Sequence, residues 1–259
     1  LGVANPDTTR ATQISNLSFY GGDSCSDVLL KMGYLNDGAK LENMHFYLPP
    51  TANAGDVIRL EGRSYFNEFT KLRISGGSRN LVLGQSEADL FQHLDMSGAR
   101  NTGVVVQEST NSVFRQCQVT GAENGVDLGL SGNVLFDRCW FENQDGLYDL
   151  KVHRRAQNVH VDGCLFTSTA LNKAHVLLGG DTGNLDSDRC SNVLITNTLF
   201  NHVGSRNAND SSEYAGAIYK SGTCERLHVE NCSFDHVFGY AVGIDVTAAS
   251  INEIKFSST

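Results

Sequence analysis

Proline is nearly absent: three residues in 259, Pro6, Pro49 and Pro50, so every turn after residue 50 is made without it. Collagen-like and proline-rich disordered architectures are excluded by that count. Charge is sparse at 19% of residues, against about a quarter in an ordinary globular chain. Its balance is acidic, with 20 Lys and Arg facing 29 Asp and Glu for a formal net of -9. A surface built for phosphate backbones or anionic lipid carries the opposite sign, so no nucleic-acid partner and no membrane insertion are expected. No apolar run approaches the roughly eighteen residues of a membrane-spanning helix. The seven cysteines include no CxxC or Cys/His spacing suited to zinc, which predicts neither a metal site nor a disulfide framework, and no cofactor. Leu1 follows no Met and no basic leader, so the chain is expected to be a segment of a longer one or a processed product.

What the sequence does contain is a repeat. The segments 134–141, 159–166, 193–200 and 227–234 share one pattern of apolar residues and end on Phe141, Phe166, Phe200 and Phe234. With Cys139, Cys164, Thr198 and Cys232 as the reference position, the pattern extends back through Cys117, Leu94, Leu72, Met44 and Leu17, in steps that are shortest in the middle of the chain and longest at its end. Two positions later stand Phe19, Phe46, Ile74, Met96, Val119, Phe141, Phe166, Phe200 and Phe234. Three positions earlier stand Ile14, Leu41, Phe69, Phe91, Phe114, Phe136, Val161, Ile195 and Val229. All are apolar. Asn recurs six positions before the reference (Asn111, Asn133, Asn158, Asn192) and one before it (Asn16, Asn43, Asn197, Asn231). Amides repeated at one bend of successive coils can bond to one another as a ladder.

The leucine-rich consensus is absent, and apolar residues alternate at period two in short runs, which excludes helical repeats. Short stacked strands remain. Each period reads as two strands around the reference position and a third such as 104–106, 125–128, 148–152, 174–178 or 242–246. Parallel strands about 4.8 Å apart, three per coil, make an all-β solenoid, a parallel β-helix of about nine coils spanning 1–259 as one domain. Gly and Asn then serve the bends.

The run from Asn133 to Gly146, Asn-Val-Leu-Phe-Asp-Arg-Cys-Trp-Phe-Glu-Asn-Gln-Asp-Gly, resembles the shaft motif of phage tailspikes and capsule depolymerases within the right-handed, pectate-lyase-like β-helix superfamily. The resemblance implies a right-handed, single-stranded helix and a homotrimer on a virion tail. It also implies a bacterial surface polysaccharide, capsule or O-antigen, as the partner that is bound and usually cleaved. The paired Asp residues that hold calcium in pectate lyases have no counterpart.

Function in such a fold lies on outward residues. Trp140, Leu165 and Leu199 form an outward apolar stripe flanked by Leu135 and Leu194, expected to be a subunit interface. On the third strand, with Val126, Leu150 and Val176 inward, Asp127, Asp149 and either His175 or its strand neighbour Leu177 are expected to stack outward in one column. Two carboxylates one strand spacing apart, about 4.8 Å, suit a two-carboxylate glycosidase with His175 as base or orienter; side-chain spread leaves retaining and inverting geometry open. The plainer alternative is a solvated pair that meets Lys151. Asp149→Asn is expected to abolish cleavage and spare stability. A second outward column, Gln107, Gly129, Lys151, Leu177, Tyr219 and Asp245, adds substrate contacts, as do Arg154 and Glu213. Lys151, His153, Arg154 and Arg155 form a basic cluster suited to an acidic polymer, and Tyr148 is expected to point inward. Asp181, Asp186, Asp188 and Asp210 are further loop acids. Cys190 and Cys224 lie one full coil apart, within disulfide range, with free thiols favoured by cytoplasmic assembly.

These features support an endo-acting glycan depolymerase, hydrolase ahead of lyase. The alternatives are a binding-only or structural β-helix, and a secreted microbial lyase or epimerase.

Overall fold

The computed structural model describes residues 12–33, 38–51, 54–167, 174–179, 189–203, 216–220, 222–237, 240–244 and 254–257. Every named strand pair among them is parallel, and the chain winds as a β-helix. One wall is a nine-stranded sheet running from Val28–Gly33 to Tyr240–Ile244. The first two strands of each coil form the other walls, which Lys40–Leu48 and Glu68–Gly76 cross without a break, fusing them into one seventeen-stranded sheet. Nine stacked levels are separated by about eight turns, so the coil count is eight rather than the nine expected.

The register follows the apolar columns of the sequence. Phe69, Phe91, Phe114 and Phe136 pair level by level, and their rings stack at 5.0, 4.7 and 5.1 Å between centroids. A second pile, Phe141, Phe166, Phe200 and Phe234, stacks at 4.5, 5.1 and 5.1 Å. The two piles meet edge to face at Phe136 and Phe141. Burial of the rings contributes most of the stabilisation, and the ring–ring contacts add to it. The reference column is small: Cys117, Cys139 and Cys164 are buried thiols that donate to the carbonyls of Phe91, Phe114 and Phe136 at 3.4, 3.3 and 3.4 Å. Thr198 continues the column, its hydroxyl donating to Thr196 O at 2.8 Å.

Both Asn columns occupy bends with left-handed backbone. Asn111, Asn133, Asn158 and Asn192 have φ between 52° and 57°, where Asn is tolerated better than most residues because its short amide bonds locally. The side chains form the expected ladder, each Nδ2 donating to the Oδ1 one coil below at 2.9, 2.9 and 2.8 Å. In the other column Asn43 donates to Asn16 at 2.6 Å and Asn231 to Asn197 at 3.5 Å, but other residues fill the coils between, and Asn197 donates to Asp162 beside Gly163.

Replacing Asn133 separates the two contributions. Asn133→Gly keeps the backbone and loses two ladder bonds, costing about 1 kcal/mol, whereas Asn133→Ala costs about 1–2 kcal/mol more through left-handed strain. Urea unfolding of both variants measures the difference.

Candidate functional site

The third-strand wall does not have the alternation expected of it. Register places Val105, Asp127, Lys151, Leu177, Tyr219 and Gly243 in one outward column, so the neighbour of Asp127 on the next coil is Lys151 and not Asp149. The cause is local. Where each strand enters from the bend, two consecutive residues face the core. Gly103 shows this: a Cβ there would meet the Val119 side chain at 2.5 Å, while the next residue, Val104, is itself buried. On the following coils this entry position holds Gly125, Asp149, His175 and Ala217.

Asp149 and His175 are therefore inside the solenoid, both fully buried. His175 Nδ1 is hydrogen-bonded to Asp149 Oδ2, and its Nε2 donates to the Asn201 carbonyl at 3.2 Å. The imidazole lies against Phe166 and Phe200. This corrects the expected surface triad: the pair is an internal polar brace between coils, out of reach of a polymer, and the expectation that Asp149→Asn spares stability goes with it.

Tyr148 is also corrected, because it lies on the outer side. Its ring packs in a cluster with Ala174, Leu177 and Tyr219, its hydroxyl donates to Asp127 Oδ2 at 3.2 Å, and Lys151 Nζ lies 5.6 Å from its ring centroid. The other oxygen of Asp127 bonds to His153 Nε2 at 2.7 Å. Asp127 retains 22% side-chain exposure, and His153 is nearly enclosed. Burial pushes the Asp127 carboxyl up, but His153, Lys151 and the Tyr148 hydroxyl together outweigh it and hold the group below its ordinary value. The wall thus unites Asp127, Tyr148, Lys151, His153 and Tyr219 over neighbouring coils, with Arg154 and Arg155 exposed at the following bend.

Sequence reasoning groups His153 with the basic residues after the strand and misses its bond to Asp127. The available signal is spacing: Gly129 and His153 are one coil apart in register. Gln107 and Gly129 do share a column, but it continues to His153 rather than to Lys151. Asp245, Glu213, Asp181, Asp186, Asp188 and Asp210 lie outside the described residues. Among the described residues no group of three or more His, Cys, Asp or Glu could hold a metal ion.

On the opposite walls, Trp140, Leu165 and Leu199 stack in register, with Trp140 at 42% and Leu199 at 38% exposure. Leu135 and Leu194 are half-buried and are separated by His160 in their own column.

The model of a right handed beta helix region matches residues 7–185 and 56–258. The chain belongs to the right-handed β-helix family. No curated protein matches it in sequence. Among solved structures, the alginate lyase from Paenibacillus sp. str. FPU-7 superposes with a TM-score of 0.63 at 12% identity, over 96% of this chain and 90% of that one. The tailspike of Pseudomonas phage LKA1 gives 0.61 at 12% identity, over 95% of this chain and 49% of that one. The enzymatically active domain of tailspike protein 2 from Bacteriophage CBA120 gives 0.60 at 13% identity, over 97% and 45%. This right-handed β-helix spans nearly all of the lyase and about half of each tailspike chain, and at these identities the likeness is one of fold.

Two outcomes follow from the placement of the acids. Asp149→Ala leaves His175 buried without its partner and is expected to cost about 3–5 kcal/mol in urea unfolding. Asp127, held low in the folded chain, contributes stability that is complete above about pH 5, one unit over the unfolded value, and lost as pH falls through its lower folded value. The difference in urea midpoint between wild type and Asp127→Asn should therefore shrink from about pH 5 to pH 2.

Proposed function

We propose that this β-helix is a tailspike-type glycan depolymerase that cleaves an acidic bacterial surface polysaccharide across the outer wall carrying Asp127. The observation that carries the reading is the composition of that wall. Among the outward residues of strands Asn124–Gly129 and Tyr148–His153, Asp127 is the one carboxylate, bonded to an imidazole and a phenol, with Lys151 stacked beside it, where a two-carboxylate glycosidase would need a second acid. That set suits β-elimination from a uronate better than hydrolysis. Lys151 meets the sugar carboxylate and stabilises the charge that develops when the neighbouring C–H is broken. Asp127 engages His153 Nε2, so Nδ1 is the atom that takes the proton. The glycosidic C–O bond then breaks, and the departing oxygen takes a proton from the Tyr148 hydroxyl. Leu177 and Tyr219, next in the column, are buried with Tyr148 and support its ring from behind, and Arg154 meets further acid groups along the polymer. Structural neighbours that include an alginate lyase and phage tailspikes support a polysaccharide as partner.

We further propose a homotrimer on a virion tail, joined through Trp140, Leu165 and Leu199 with Leu135 and Leu194 at the margin. A binding-only wall is the second reading, favoured by the near-complete enclosure of His153 and Tyr148.

The test is incubation with uronate-containing capsule while reducing ends and the ultraviolet absorbance of unsaturated uronates are followed together. Both signals are expected to rise; reducing ends alone mean hydrolysis, and neither supports a binder. His153→Ala and Lys151→Ala should each lower kcat by about 10²-fold or more. In sedimentation, Trp140→Glu should shift the protein toward monomer, and an unchanged profile would count against an interface there.

A further inference from the structure

Strands Cys190–Thr196 and Cys224–Glu230 pair from their first residues, so Cys190 and Cys224 face each other on consecutive coils. Both are buried free thiols. Parallel neighbours stand about 4.8 Å apart, inside the Cα separation a disulfide requires. A third group joins them from the strand that ends just before Cys224. The inward column Leu83, Val106, Leu128, Val152 and Leu178 is aliphatic until it reaches Lys220. The Lys220 side chain is fully buried, the one such Lys or Arg among the described residues, and its charge acts on both thiols.

A second thiol stack lies in the same solenoid. Cys117, Cys139 and Cys164 also occupy consecutive coils, but there the thiols donate to backbone carbonyls. Hydrogen bonding to its neighbours Cys117 and Cys164, which favours its protonated form, together with burial pushes the Cys139 thiol well above its ordinary range. At the other pair the direction is reversed for one member. The hydrogen bond with Cys190, aided by the Lys220 ammonium, holds the Cys224 thiol below its ordinary range against the cost of burial. One stack holds its central thiol protonated and the other contains a candidate thiolate.

We propose that Cys190 and Cys224 form an oxidation site, with Lys220 as proton carrier, that closes to a disulfide when the protein meets a peroxide-class oxidant outside the reducing interior of a cell. Lys220 starts as the neutral amine that its burial favours, takes the Cys224 proton to become the ammonium beside the thiolate, and the thiolate attacks one peroxide oxygen. The O–O bond breaks, and the departing hydroxide recovers that proton from Lys220 as water, leaving Cys224 as a sulfenic acid. Cys190 Sγ then attacks the sulfenyl sulfur. Its proton passes through Lys220 to the leaving hydroxide, giving a second water. Two thiols and one peroxide become one disulfide and two waters, and Lys220 ends as the neutral amine, the form its burial favours. The bridge would staple one of the two longest coils in the repeat.

The test uses the full reduced chain, exposed to hydrogen peroxide without denaturant, quenched by alkylation and mapped by mass spectrometry. A Cys190–Cys224 cross-link with a loss of about 2 Da is expected, with the other five thiols alkylated. Lys220→Met keeps the length of the side chain in an apolar column and should slow the cross-link by about tenfold or more, while Lys220→Arg, whose charge still stabilises the thiolate, restores part of the rate. Cys190→Ser should accumulate a Cys224 sulfenic acid that dimedone traps, a readout that stands if Lys220→Met fails to fold. The proposal is overturned by an equal rate in folded Lys220→Met, by cross-linking of Cys117, Cys139 or Cys164 as fast as that of Cys190 with Cys224, or by trapping no sulfenic acid on Cys224 in Cys190→Ser.

Discussion

The in-register stacking of one coil on the next is the constraint on which the rest of the molecule depends. Backbone hydrogen bonds run along the solenoid axis from coil to coil, so each side chain sits about 4.8 Å from its equivalents above and below. Its environment is a column rather than a sphere. Phenylalanines pile face to face, asparagines bond amide to amide, and thiols stack on thiols, because any residue admitted to a column must tolerate copies of itself or of its near relatives. Stability is correspondingly quasi-one-dimensional, each coil burying its core against its neighbours.

Chemistry appears where a column changes character. Asp127 stands above Val105 and below Lys151, so a carboxylate meets an ammonium instead of another carboxylate. Asp149 and His175 occupy a column that holds Val57, Asn80, Gly103 and Gly125 on earlier coils and Ala217 on the next, and they survive there because each supplies the other's hydrogen bond. Lys220 breaks an aliphatic column on the strand that precedes Cys224, whose thiol stacks on that of Cys190. Asp127 and His153, Asp149 and His175, and the two thiols are each distant along the chain and adjacent in space, because one coil separates them.

How much of this is legible depends on whether a column is uniform. The apolar and Asn columns repeat the same residue type, so aligning segments on Cys139, Cys164 and Cys232 is sufficient to find coils, core and ladder. The third wall has no such repeat. Strict alternation is the natural expectation there, and it fails at the entry of each strand, where two residues in succession face inward. That single departure moves Asp149 and His175 from the surface to the core and brings Tyr148 out beside Asp127. A one-residue change of facing exchanges the solvent face for the core face, so one misjudged bend is enough to misplace the candidate catalytic pair.

The sequence by itself determined the architecture, because periodic burial leaves a periodic trace that no neighbouring coil can alter. It also determined which residue types were available for chemistry, a weakly charged set rich in Asp, His and Tyr. Only the tertiary structure decided which of them meet. Facing is set by backbone torsion at the bends, and partners are set by the register between coils of unequal length. Neither quantity is periodic, so neither could be read from the repeat.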